Sequence, residues 1–236
     1  MYYLATMVGR EDASPEPGSP EFEAEVQRYA DFEQRAAAAI AGGAALYPAA
    51  TALTVRRDGN QVLVTDGPFT EQAEVVGGFY VLDCPDLDAA IQVTRQIPAA
   101  TDGPIELRPM VQYSPHDTPG ADWWLALLWD RPDAVIAPGT PEWDAAITEH
   151  TRFGESYAAA IRGGGALQPP TAATTVRVRA GELLLSDGPF AEFAEVVDGF
   201  YLFAAPDRAA AADIAAHIPC AAKGHIEVRQ VVDLGE

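Results

Sequence analysis

The sequence predicts an α+β protein written as two tandem copies of one domain. Three observations carry that prediction. Thr65-Asp66-Gly67-Pro68-Phe69 returns as Ser186-Asp187-Gly188-Pro189-Phe190, an offset of 121, the difference between 187 and 66. The offset holds elsewhere without a gap. Gly42-Gly43 falls on Gly163-Gly164, Gly78-Phe79-Tyr80 on Gly199-Phe200-Tyr201, and Ile105-Glu106 with Arg108 on Ile226-Glu227 with Arg229. Within each copy, helical and strand-like apolar patterns alternate. A period this long marks a repeated domain rather than a solenoid.

Each copy opens with an apolar strand, residues 2–8 and 123–129. Gly18-Ser19-Pro20-Glu21 and Gly139-Thr140-Pro141-Glu142 then read as helix starts. Ser19 or Thr140 caps free amides, proline at the first helical position loses no needed donor, and the acidic residues face the positive helix end. Phe22, Val26, Tyr29, Phe32, Ala36 and Ile40 recur at three- and four-residue steps, a helix burying one stripe. Gly42-Gly43 and Gly163-Gly164 are expected to end these helices.

Residues 51–57 and 61–65 read as a hairpin around Asp58-Gly59-Asn60, and 174–179 with 182–186 as its copy around Ala180-Gly181. The Asp-Gly-Pro-Phe turn follows each hairpin. A strand over 75–83 and a helix from Asp86 to about Gln96 come next. Ile97-Pro98 stops that helix, because proline disfavours helical backbone in the residue before it. Residues 105–112 form the last strand. The domains are 1–113 and 122–236, joined by a turn-rich linker over 114–121. The order β-α-β-β-β-α-β, with two amphipathic helices on an antiparallel sheet, is ferredoxin-like in kind. Helices cover one face of each sheet; the second copy is the expected cover for the other, giving an internal pseudo-two-fold pair.

Copies of about 112 residues fall in the usual domain range. A formal charge of −20 and a pI near 4.4 argue against nucleic-acid or anionic-membrane partners. Cys84 and Cys220 fall on non-cysteines across the offset, so neither belongs to the repeated design, and buried thiols are expected. No basic-then-apolar leader and no apolar run of about 18 residues is present, so a cytoplasmic protein is expected.

Thr65-Asp66-Gly67-Pro68-Phe69, followed by Glu71, Glu74 and Gly77-Gly78-Phe79-Tyr80, resembles the DGPF branch of the YCII-related domain family, as does Ile105-Glu106-Leu107-Arg108-Pro109. The resemblance covers nearly all of both copies. It implies a ferredoxin-like fold that pairs into a dimeric α+β barrel, here within one chain. It also implies acid–base chemistry through a histidine–aspartate pair, and a genomic setting beside extracytoplasmic-function sigma factors. The motif aspartate falls on Asp66 and Asp187. The family histidine has no clean counterpart: His150 lies in roughly the right region, opposite Tyr29 of the first copy. Ala73 and Ala194 stand where the branch commonly has lysine.

Asp66 and Asp187 are candidate general bases if burial raises their pKa; otherwise they cap their turns. His150 is the candidate histidine, with a helix-surface role as the alternative. Phe69 and Phe190 either anchor the turn or stack on a ligand. Glu74 and Glu195, with Glu71 and Glu192, form either a carboxylate cluster or a solvated acidic face. Arg108 and Arg229 lie two residues from Glu106 and Glu227 on one strand face, as in-sheet ion pairs or as anchors for an anionic ligand. Tyr80 and Tyr201 either donate a phenolic proton into a cavity or pack at an interface. All four tryptophans belong to the second copy, from a bulkier core or a pocket in one half. No nucleotide loop, zinc spacing or nucleophile elbow is present, so neither cofactor nor metal is expected. These readings predict a small-molecule-binding protein with cofactor-free lyase, isomerase or cyclase chemistry; the alternative is a regulatory module that engages a sigma factor.

Overall fold

Every described strand pairing in the computed structural model is antiparallel, and described residues are all those except 11–14, 16–17, 59–60, 69–74, 191–194, 221–223 and 234–236. The chain forms two compact units. The first comprises Met1–Ala45, Gln72–Pro109 and Thr171–Ala191; the second comprises Leu46–Glu71, Met110–Pro170 and Glu192–Glu236. Each unit therefore contains the hairpin of the other sequence copy.

In the first unit, β1 (Tyr2–Gly9) leads to α1 (Pro20–Ala36), β2 (Ile40–Ala45), β5 (Val75–Asp83), α2 (Leu87–Thr94), the short α3 (Ala99–Asp102) and the first half of β6 (Ile105–Ser114). The hairpin β9 (Thr174–Arg179) and β10 (Glu182–Asp187) completes it. Strand order is β2-β5-β1-β6-β9-β10, with Ile105 opposite Val176. Without the hairpin this is β-α-β-β-α-β in ferredoxin-like order.

The second unit repeats the pattern with β7 (Trp123–Asp130), α4 (Pro141–Ser156), β8 (Ile161–Leu167), β11 (Val196–Ala204), α5 (Arg208–His217) and β12 (His225–Gln230). Its hairpin is β3 (Leu53–Asp58) and β4 (Gln61–Asp66), giving the order β8-β11-β7-β12-β3-β4, with residues 110–114 of β6 alongside β8.

The helix starts follow their caps. Ser19 Oγ accepts from the Phe22 amide at 3.1 Å and Thr140 Oγ1 from Trp143 at 3.2 Å. Asp86 and Asp207 cap α2 and α5 in the same way. The glycine pairs, however, do not end α1 and α4. Gly42-Gly43 lie inside β2 and Gly163-Gly164 inside β8, strands that the sequence reading takes for helix ends. The helices stop earlier, at Ala36 and Ser156. The second hairpin turns through Ala180 and Gly181, both at positive φ as a two-residue turn requires. The first hairpin's turn at 59–60 lies outside the described residues.

Helix-facing side chains form each core. Tyr3, Phe32, Tyr80, Leu82, Ile91, Ile105 and Leu107 pack in the first unit, joined by Val176 from the other copy. Trp124, Phe153, Phe203, Ile218, Ile226 and Val228 pack in the second, joined by Leu53 and Val55. The hairpins are thus part of the cores they visit. Alternation along each strand sends Leu4, Phe79, Val81, Glu106 and Arg108 to the other face of the first sheet, and Leu125, Leu127, Trp129, Phe200, Glu227 and Arg229 to that of the second. These residues are also buried.

Candidate functional site

Two equivalent tyrosines carry the repeated part of the site. Tyr80 on β5 sits opposite Gly43 of β2, and Tyr201 on β11 opposite Gly164 of β8. A Cβ at Gly43 would meet Tyr80 Cδ1 and the Phe79 carbonyl oxygen, each at 2.8 Å; one at Gly164 would meet the Phe200 oxygen at 2.6 Å and Tyr201 Cδ1 at 3.3 Å. Glycine lets each tyrosine ring lie across the neighbouring strand. Phe32 and Phe153 meet these rings edge-on, at 5.3 and 5.1 Å between centroids.

The partners of the two hydroxyls differ. Tyr80 donates to Glu33 Oε1 at 2.7 Å. At the position equivalent to Glu33, α4 has Gly154, and Tyr201 is bonded instead to Nδ1 of His150 at 2.9 Å. His150 stands where α1 has Tyr29, whose hydroxyl contacts Met7 Sδ at 3.7 Å. Burial pushes Tyr201 up to about 12; burial and the Glu33 carboxylate together raise Tyr80 well above the usual phenol range. Burial lowers the His150 pKa below 6.5, with Glu149 acting in the opposite direction. His150 is therefore neutral at neutral pH, beside a phenol that keeps its proton. The inward stripe of α4 is buried at Phe153 but only half-buried at Trp143, Ala146, Ile147 and His150, so these side chains keep part of their surface accessible.

The Asp-Gly-Pro turns are held by other groups than their aspartates. The Gly67 amide donates to Ala52 O and Thr54 Oγ1 donates to Gly67 O; Gly188, Ala173 and Thr175 repeat both bonds. Gly67 and Gly188 have φ of 85° and 91°, a region that glycine enters without strain. Asp66 and Asp187 are exposed. Asp66 accepts from Arg208 Nη2 at 2.7 Å. Arg208 also donates to the Thr51 and Ala52 carbonyls, and it lines a hollow of about 460 Å³ with Thr51, Asp122, Trp124, Asp207 and Gln230. Neither His150 nor Tyr201 lines that hollow.

Phe190 is buried, its amide donates to Glu106 Oε2 at 3.0 Å, and the Arg177 guanidinium lies 5.8 Å from its ring centre. Phe69, Glu71, Glu74 and Glu192 lie outside the described residues. Arg108 is ion-paired with Glu106, and Arg229 with Glu227 at 2.8 Å; all four are buried. An anionic ligand at either arginine has a carboxylate to displace.

One group is not visible in sequence. Glu195 Oε2 lies 3.1 Å from Nδ1 of the buried His225, and the imidazole stacks on Trp129 at 6.0 Å with a 3° interplanar angle. Burial, then Arg56, lowers His225 to about 4; burial, then Asp130, raises Glu195. Both shifts oppose an ion pair, so the imidazole lies neutral against the Glu195 carboxyl group. His225 falls on Pro104 in the first copy, and only the register that sets it opposite Trp129 and Arg56 reveals the cluster. Among the described residues no group of three or more His, Cys, Asp or Glu side chains is placed to hold a metal ion, and no helix is long and apolar enough to cross a membrane. Cys84 and Cys220 are free thiols.

An uncharacterised protein of Rhizobium meliloti (strain 1021) is 38% identical over 78 residues, which is 32% of this chain and 63% of the relative's length. A solved structure provisionally described as a chlorite dismutase is similar at a TM-score of 0.43 and 11% identity, over 98% of this chain and 94% of that one. The model of the YCII-related domain matches residues 1–114 and again residues 123–235, so the chain belongs to the YCII-related domain family as a tandem-duplicated member.

Proposed function

We propose that the protein binds a small carbonyl compound at the half-buried end of the α4–β11 layer and moves a proton on it with Tyr201 and His150, without a cofactor. The observation that carries this reading is the change of partner at the duplicated tyrosine, from Glu33 in the first half to His150 in the second. With the His150 proton on Nδ1, the imidazole donates to the Tyr201 oxygen. That leaves two complementary groups. Nε2 offers a lone pair as general base, and the Tyr201 O–H offers a proton to an oxyanion as it develops on the substrate. Such an acid–base pair serves keto–enol isomerisation, or a lyase or cyclase step that passes through an enolate. In the first half a carboxylate accepts the Tyr80 proton, so that hydroxyl is not free to donate to a substrate.

The supporting chemistry is local to side chains of this chain, and Trp143 and Ile147 supply apolar contact for the ligand body. The test is proton exchange in D₂O, followed by NMR over a panel of small ketones and β-keto acids. The wild-type protein is expected to speed deuterium incorporation next to a carbonyl. Tyr201→Phe and His150→Gln each lower that rate by about 10²–10⁴, whereas Tyr80→Phe leaves it unchanged. Equal rates in wild type and His150→Gln overturn the assignment.

A further inference from the structure

Strand β4 ends the sheet of the second unit. It pairs with β3 on one side, and among the described residues no strand pairs with its other side. Its middle is apolar and open on both faces: Val62 is 38% exposed, Leu63 45% and Val64 44%. Edge strands that stay single are normally guarded by charge, by proline or by a covering segment. Residues 61–65 contain neither charge nor proline, in a chain whose net charge is −20.

The repeated edge sharpens the point. Among the described residues β10 pairs only with β9, and it also exposes Leu184 and Leu185, so the apolar middle occurs in both copies. Its ends are acidic, however, with Glu182 and Asp187. At the equivalent positions β4 has Gln61, which is neutral, and Asp66, which Arg208 already neutralises. Two copies of so acidic a chain repel one another, and contact is least opposed where the edge carries least charge. That edge is β4.

We propose that β4 is the docking edge for β4 of a second copy of this chain. The two strands join antiparallel, about a two-fold axis that runs perpendicular to the sheet through Leu63. Residues directly opposite in a continuous sheet share a face, which admits this register. Leu63 then faces Leu63 of the second copy, Val62 faces Val64, and Gln61 faces Thr65. The ladder satisfies free main-chain groups and covers three apolar side chains per copy. Two β10 edges joined the same way would gather four carboxylates on one short ribbon. A β4-to-β10 pairing brings Glu182 and Asp187 onto the ribbon, whereas the β4 pairing adds neither. The β4 pairing closes at two. A footprint of one short strand is small, so the dimer forms in the micromolar range rather than tightly.

Sedimentation velocity over a concentration series tests this directly. The wild-type chain is expected to pass from monomer at low micromolar to dimer at high micromolar concentration. Leu63→Lys is expected to remain monomeric, with an unchanged circular dichroism spectrum, while Leu184→Lys dimerises like wild type. Leu63→Cys places two thiols across the axis, and mild oxidation should link the dimer through them. A monomer at every concentration, a Leu63→Lys variant that dimerises like wild type, or growth past two copies overturns the proposal.

Discussion

The Tyr201 hydroxyl lies 2.9 Å from Nδ1 of His150, whereas the equivalent Tyr80 hydroxyl donates to Glu33 at 2.7 Å. With Gly154 where the first half has Glu33, the imidazole at position 150 is what gives the half-buried Tyr201 phenol its partner. The pair makes a specific pH profile. His150 has its pKa lowered from 6.5 by burial, and Tyr201 is raised to about 12. Exchange activity should climb through an apparent pKa below 6.5, as the imidazole loses its proton, and stay level beyond pH 10. A rate that keeps rising between pH 7 and 10 makes a phenolate the base and removes His150 from that role.

His225 gives a separate prediction about stability. Its folded-state pKa is about 4 against 6.5 when solvated, so the unfolded chain takes up the proton first. The stabilising contribution of the neutral imidazole is complete above pH 6.5 and is lost as pH falls towards 4, by about 3 kcal/mol. Glu195 and Asp130, both raised by burial, act the other way, because the folded state holds their protons more readily. Urea unfolding of wild type and His225→Gln at several pH values separates the terms. The difference between the two proteins should shrink between pH 6.5 and 4; a constant difference sinks the idea.

Gly43→Ala and Gly164→Ala test the packing beneath the tyrosines. In both, the new methyl group meets a strand carbonyl oxygen under 3.0 Å, and at Gly43 it also meets the Tyr80 ring. Backbone cannot yield as a side-chain tip can, so each substitution should destabilise by about 1–3 kcal/mol in chemical denaturation. Gly164→Ala should also slow proton exchange by displacing Tyr201 from His150. An alanine variant as stable and as active as wild type contradicts that packing.

Much of this fold is legible in sequence because the signals are local. Ser19, Thr140, Asp86 and Asp207 mark helix starts by chemistry that acts within three residues. The repeat supplies the rest of the order. The strands β2 and β8 are not legible, because Gly42-Gly43 and Gly163-Gly164 look like helix stops until a tyrosine on the next strand is known to need the space. Hairpin exchange is silent for a different reason: Val55 and Val176 occupy equivalent places, so neither sheet edge distinguishes them by pattern. His150 and Tyr201 were both nameable as candidates, though not as a pair. His225 and Glu195 meet only through strand register.

The buried ion pairs predict an asymmetry between single and double substitutions. Arg229→Met leaves Glu227 charged, buried and unpaired, at a cost of about 3–5 kcal/mol. Glu227→Leu combined with Arg229→Met removes both charges, and should recover most of that loss in the same denaturation assay. A double variant less stable than Arg229→Met makes the pair itself, rather than the orphaned charge, the source of stability.

Separating the copies tests the exchange of hairpins. Residues 1–121 alone retain β3 and β4 but lack Val176, which is fully buried in the first unit's core. Burying one such valine is worth about 1.5–3 kcal/mol, and the edge of β6 loses its partner strand as well. The isolated first half can replace both by taking the equivalent Val55 hairpin of another molecule. It should therefore sediment as a dimer, and replacing residues 46–71 by a short Gly-Ser linker should leave an unfolded or aggregating chain. Mixing the two halves should restore a one-to-one complex with the thermal stability of the intact protein. A first half that folds as a stable monomer shows that its own hairpin closes its own sheet, and the exchange is then dispensable.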